Sequence, residues 1–180
     1  MNICDMLVSS PWVVQHSIIL MTPDRRRSLY AFIGFLALCL AISAAGGWVT
    51  AQSVGTWFRG LEKPSFNPPD WVFAPVWSTL YILIAVSGWR VWRLRGLTGA
   101  PGAMAAYATQ LALNLGWSFL FFGAREIGLA FVEVLLLLAA IAVNAVLFWR
   151  IDRVAGWLLA PYFAWVGFAS LLNFALWRLN

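Results

Sequence analysis

The residues best suited to chemistry in this chain are aromatic rings and amides, and the chemistry they suit is binding rather than bond-making. Phe73, Trp77 and Tyr81 recur every fourth residue and share one helix face. Turned into a bundle, that face is an aromatic wall for an apolar ligand. Turned outward, it is helix packing and an interfacial tryptophan belt. Gln110, Asn114 and Trp117 form a second stripe at i, i+4 and i+7. Amides in hydrocarbon need partners, on a neighbouring helix or on a ligand. Tyr162, Trp165, Ala169 and Leu172 form a third. Trp165 falls near the middle of its apolar segment, a place that suits a pocket wall better than a belt.

The ionisable and nucleophilic side chains offer less. Glu133 lies inside an apolar segment, where a carboxyl is a functional candidate by default. Asn144 follows eleven residues later on nearly the same face, and neither has an evident partner. Cys4 and Cys39 have no metal-like spacing, and Cys39 reads as a small packing residue. The lone histidine, His16, reads as a surface residue. No Ser/His/Asp set, His/Cys metal cluster or phosphate loop stands among the apolar segments, so neither a metal nor a cofactor is expected.

These stripes need elements to hold them. The chain has 180 residues, of which 62% are hydrophobic and 11% charged. Soluble domains carry about a quarter charged residues, so an integral membrane protein is expected. Five apolar segments can be drawn, at about Leu29–Thr50, Trp71–Val91, Ala103–Phe122, Ile127–Trp149 and Ala155–Trp177. Each has the roughly 20 residues a helix needs to cross hydrocarbon, and no strand alternation competes. The fold class expected is therefore an all-α membrane protein, a five-transmembrane-helix bundle. Residues 1–28 read as a tail, disordered or the product of a mis-assigned start, because "MTPDRRRSLYAFIGF" from Met21 is the cleaner opening. The formal charge of +5 sits at segment ends, where lipid and topology account for it and nucleic acid need not. Eight arginines on the N-terminal side face four cations on the other, which favours a cytoplasmic N-terminus in a plasma membrane.

The links position the stripes. "GLTGAPG" ends the second segment, and Pro101 suits the first turn of the third. "GARE" and "RIDR" are tight links, and Pro161 should kink the fifth segment. The longest link, 51–70, is a candidate lid or binding loop. Pro64, Pro68 and Pro69 stiffen it, Asp70 could cap the second helix, and Arg59, Lys63 and Phe66 lie on it. Ala108, Ala112 and Gly116 form a small-residue stripe, a seam for a second copy or for internal packing.

Taken together, "WFRGLEKPSFNPPDWVFAPVWSTLY" (57–81), "NLGWSFLFF" (114–122) and "PYFAWVGFASLLNFALWRLN" (161–180) resemble the translocator protein family, also called the tryptophan-rich sensory or peripheral benzodiazepine receptor family. The resemblance covers about Leu29 to Asn180. It implies a five-helix, usually dimeric bundle with a pocket beneath the loop between the first two helices. The ligands it implies are porphyrins such as protoporphyrin IX, synthetic benzodiazepine-type and isoquinoline carboxamide ligands, and cholesterol in animal members. Trp77 and Trp165 match the two tryptophans implicated in light-dependent porphyrin breakdown. Trp57, Gln110, Asn114, Trp117 and Ala169 match other pocket positions. Two departures stand out. Phe66 replaces the usual tryptophan of the loop motif, and Phe174 stands where the sterol-recognition pattern needs a tyrosine before Arg178. Porphyrin transport or sensing, porphyrin photodegradation and sterol or lipid transport are the functions to separate. Arg59 or Lys63 would meet porphyrin carboxylates at the loop.

Overall fold

A computed structural model describes residues 25–180. The tail expectation for residues 1–24, with Cys4 and His16, lies outside the described residues.

Every regular element described is helical. Helix α1 is Arg25–Val54, so residues 25–28, read from sequence as tail, are helical. Two single 3-10 turns follow in the long link, Phe58–Gly60 and Asp70–Val72. Then come α2 (Phe73–Arg95), α3 (Pro101–Ser118) with a π-helical continuation over Phe119–Gly123, α4 (Ile127–Ile151), α5 (Arg153–Leu158) and α6 (Ala160–Leu179). Four helical stretches are long and apolar enough to cross a membrane: Arg25–Val54, Asp70–Arg95, Ile127–Ile151 and Arg153–Leu179. The chain is an integral membrane protein, all-helical over the described residues.

The boundaries follow local chemistry. Gly96 takes a positive φ of 68° and its amide closes on the Trp92 carbonyl at 2.7 Å, ending α2. Pro101 opens α3 at a position whose missing amide costs nothing. The expected interruption at Pro161 falls just before it. Leu159 is a turn residue between α5 and α6, because Pro161 has no amide to continue the ladder. Asp152 caps α5 through a bond from the Val154 amide at 2.9 Å and pairs with Arg90 Nε at 2.7 Å. Partial burial pushes the Asp152 carboxyl up. The Arg90 hydrogen bond and charge, with the Val154 and Ala155 amides, outweigh that and hold it below the ordinary aspartate value. One expectation is corrected: Asp70 makes no side-chain cap to α2, because the chain enters that helix through the 3-10 turn and the Val72 amide bonds the Pro69 carbonyl.

Helices α1 and α2 meet at one end and part at the other. Near the N-terminal end of α1, Trp89 Nε1 donates to the Ser28 carbonyl at 3.0 Å, and the Phe32 and Trp89 rings pack edge to face at 5.4 Å. Tyr107 of α3 stacks on Phe148 of α4 beside them, with its hydroxyl at Cys39 Sγ and the Ile84 carbonyl. Cys39 is a buried packing residue, as its surroundings in sequence imply. Towards its other end α1 leans on α3 instead. The Ser53 hydroxyl donates to the Phe122 carbonyl at 2.6 Å, and Gly46 lies against Ser118.

Candidate functional site

A hydrogen-bonded bridge forms the floor where the helices part. The Tyr81 hydroxyl of α2 donates to Asn114 Oδ1 of α3, and Asn114 Nδ2 donates to the Tyr162 hydroxyl of α6 at 2.9 Å. All three residues are buried. Three helices are thereby tied at one level, and the Asn114 amide has two partners, both on neighbouring helices. Trp117 Nε1 donates to Asn173 Oδ1 at 3.0 Å, and Asn173 Nδ2 donates to the Ile127 carbonyl at 2.9 Å, joining α3, α6 and α4.

Alongside this bridge lies a cavity of about 470 Å³ between α1, α2, α3 and α6. Helix α2 gives it Phe73, Trp77 and Tyr81, the stripe read from sequence. The Trp77 ring lies 5.8 Å from that of Tyr81 and 6.3 Å from that of Tyr162, while Phe73 meets Trp165 edge to face at 5.8 Å. Helix α6 contributes Trp165 and Ala169, and α3 contributes Asn114 and Trp117. Three of the ten expected ligand-binding residues are not on its wall. Tyr162 stands behind Trp77 as its packing partner. Trp57 packs edge to face on Phe121 at 5.7 Å, outside the lining. Gln110 is fully buried, and neither of its amide atoms has a partner among the described residues.

The π-helical turn supplies what the sequence reading missed. The Ala124 amide reaches back five residues to the Phe119 carbonyl at 2.7 Å. The wider turn puts both Phe121 and Phe122 on the cavity, with Phe121 stacked on Trp117 at 5.2 Å. Also missed was the small-residue side of α1: Ser43, Gly46, Gly47, Thr50 and Ala51 all line the cavity. Their spacing of three and four was the available signal.

The loop residues expected as a lid sit over the cavity's end, not in its wall. Of residues 55–70, Phe58 and Asp70 line it. Lys63 Nζ donates to the Arg59 and Leu61 carbonyls and lies 4.9 Å over the Phe58 ring. Phe66 packs on Phe168 at 6.4 Å. Pro64 accepts the Asn67 amide in a tight turn, and Pro68 accepts the Asn67 side chain. Pro69 leads into the 3-10 turn. The loop is pinned to the end of α6: the Glu62 amide donates to Asn180 Oδ1 at 3.0 Å, and Asn180 Nδ2 donates to the Glu62 carbonyl at 3.1 Å.

Two further candidates stand apart from the cavity. The Glu133 carboxyl is buried without a partner among the described residues and faces the backbone of α3 at Gly116. Asn144 Nδ2 donates weakly to the Ala103 carbonyl at 3.4 Å. The small-residue stripe divides, with Ala108 and Ala112 exposed and Gly116 turned towards α4. No group of His, Cys, Asp and Glu able to hold a metal occurs among the described residues.

Comparison with known proteins gives the family. Residues 35–178 match the TspO/MBR family. The chain is 39% identical to the tryptophan-rich protein TspO of Archaeoglobus fulgidus over 85% of this chain and 99% of that one. It is 44% identical to the human translocator protein over 69% and 75% of the two chains. It is 37% identical to the tryptophan-rich sensory protein of Cereibacter sphaeroides over 83% and 90%. With most of its length matched by the family and by relatives of this similarity, the chain belongs to the TspO/MBR family.

Proposed function

We propose that this protein is a membrane receptor for flat, apolar, aromatic ligands of the tetrapyrrole kind, held in the cavity between α1, α2, α3 and α6 and acting in porphyrin sensing or transport. The carrying observation is the lining. Rings of Phe58, Phe73, Trp77, Tyr81, Trp117, Phe121, Phe122 and Trp165 surround a space of about 470 Å³, with the Asn114 and Asn173 amides, the Asp70 carboxyl and the hydroxyls of Ser43, Thr50, Ser78 and Ser118 as the polar groups among them. Ligand sites of about 300–1,000 Å³ with this mix of aromatic wall and polar groups are typical. Indole and phenyl faces can stack on a macrocycle. Porphyrin carboxylates would lie towards the loop, where Lys63 stands over Phe58. In this reading α3 with its π continuation is the fifth span, Pro101–Gly123, about 33 Å long. Exposed Ala108 and Ala112 offer α3 as the face for a second copy, to be checked by cysteine cross-linking at Ala112.

A second reading is light-dependent porphyrin breakdown with Trp77 and Trp165 as redox participants. It is favoured by both indoles standing on one cavity wall. Quenching of tryptophan fluorescence by protoporphyrin IX and by cholesterol, in the dark and after illumination, separates the possibilities. Saturable quenching by protoporphyrin IX that cholesterol does not displace is expected. Trp77→Phe and Trp165→Phe should abolish photobleaching of bound porphyrin while keeping binding within about tenfold, or 1.4 kcal/mol. Arg59→Ala with Lys63→Ala should weaken the dianionic porphyrin more than a neutral ligand. Saturable quenching by cholesterol alone would replace this reading with sterol transport.

A further inference from the structure

The way into the cavity follows from how α1 and α2 diverge. They are clamped together at the Ser28–Trp89 end, whereas the other half of α1 is held by α3. At cavity level both helices line the cavity, and the side chains they bring to its edge are small. These residues are exposed: Gly47 and Ala51 on α1, Ala74 and Ser78 on α2, all four lining the cavity. A Cβ built at Gly47 meets nothing within 4 Å.

The other approaches are obstructed. The roof is fixed by the paired hydrogen bonds between Glu62 and Asn180 and by Phe58, which is buried. An outer groove between α2 and α6 also reaches Trp165, but there the Phe73, Trp165 and Phe168 rings pack against one another at 5.8 and 5.6 Å. The seam between α1 and α2 therefore has the least side-chain volume to displace. It lies beside Trp48 and Trp71, which are 67% and 74% exposed. Tryptophans so placed on a membrane protein mark the boundary between headgroups and acyl chains.

We propose that the cavity is loaded sideways from the bilayer, through the slot between α1 and α2, and that Gly47, Ala51, Ala74 and Ser78 set the thickness of ligand admitted. The inference rests on the reading that the cavity holds a flat apolar ligand. A planar ring system can pass edge-on between two small-residue edges, whereas a bulkier, non-planar apolar molecule cannot do so without spreading the helices. The proline-stiffened loop is then a fixed roof, and the loading step needs no loop movement.

The test uses the full chain in phosphatidylcholine vesicles, with protoporphyrin IX delivered in the same lipid and tryptophan quenching followed by stopped flow. Gly47→Phe and Ser78→Phe each place a ring in the slot. Each should slow association and dissociation together, by about fivefold or more, because a narrowed mouth obstructs passage in both directions. Leu136→Phe, which adds a ring on the exposed face of α4, should load at the wild-type rate. Slot variants that load within about twofold of wild type, or that change dissociation alone, overturn the proposal. A ligand-independent readout separates it from the porphyrin reading. With Cys4→Ser and Cys39→Ala as background, Ala169→Cys on the inner wall should react with bilayer-dissolved N-phenylmaleimide, and Gly47→Phe should slow that labelling. Labelling unaffected by Gly47→Phe refutes lateral entry even if protoporphyrin IX proves not to be the ligand. Absence of saturable quenching with slot-dependent labelling refutes only the tetrapyrrole reading.

Discussion

Replacing Gly88 by valine is expected to cost about 3 kcal/mol or more and to detach α1 from α2 and α3. Gly88 lies where α2 passes between its neighbours. A Cβ there would stand 2.7 Å from Tyr107 Cζ, 2.9 Å from Tyr107 Cε2 and 3.0 Å from Phe35 Cδ1. The Tyr107 ring cannot give way. It is buried, stacked on Phe148 at 5.8 Å, and its hydroxyl is engaged at Cys39 and the Ile84 carbonyl. Gly88→Ala should already lower stability, since the first carbon makes the clash, and valine adds branched bulk in the same place. Gly47→Ala is the counterpart. Its Cβ meets nothing within 4 Å, and alanine gains about 0.5–1 kcal/mol over glycine in a helix interior. Thermal unfolding in mild detergent should rank the variants Gly47→Ala, wild type, Gly88→Ala, Gly88→Val from most to least stable. A Gly88→Val protein as stable as wild type would mean that α1 and α3 are not packed on α2 as described.

The contrast between Gly88 and Gly47 also marks what a sequence can disclose. The helices and links were legible, because uninterrupted apolar runs and their Arg, Gly and Pro punctuation follow from the cost of exposed backbone in lipid. The aromatic stripe of α2 was legible for a similar reason: residues four apart must share a face. Depth along a helix was not. Gln110 shares its stripe with Asn114 and Trp117, but it lies a full turn below Asn114, about 6 Å at 1.5 Å per residue, and the cavity ends first. Periodicity gives an angle and says nothing of height.

Two other features escaped for different reasons. The π-helical turn at Phe119–Gly123 brings neighbouring phenylalanines to one cavity, although a regular helix would point them about 100° apart. No residue type announces such a turn. The small edge of α1 escaped because an opening is made by missing side chains, and attention falls on residues that carry chemistry. Asp70 misled in the opposite sense. Its type and place suit a helix cap, but a 3-10 entry put its side chain on the cavity rim instead.

The bridge that floors the cavity gives the other large expected effect. Asn114→Leu keeps the volume and removes both partners at once, so the Tyr81 donor and the Tyr162 hydroxyl are left buried without their bonds. A buried polar group stripped of its partner costs about 1–3 kcal/mol. Two of them put the expected loss at about 2–4 kcal/mol, the lower end applying because chains unfolded within a membrane find substitute partners. Loss of packing alone would give a number of similar size, so the decisive measurement is the rescue. Adding Tyr81→Phe and Tyr162→Phe to Asn114→Leu removes the stranded hydroxyls, and an apolar set of similar shape should recover most of the stability, because deleting all members of a hydrogen-bonded group is far less costly than deleting one. The triple variant should therefore unfold at a higher temperature than Asn114→Leu alone. If the two phenylalanines add their own losses to that of leucine, the three side chains are not acting as one bridge. The same variants report on the cavity, since Tyr81 and Asn114 both line it. A restored fold whose quenching by protoporphyrin IX is weaker than that of Tyr81→Phe with Tyr162→Phe alone would assign the amide a second task, polar contact with the ligand, beyond joining α2, α3 and α6.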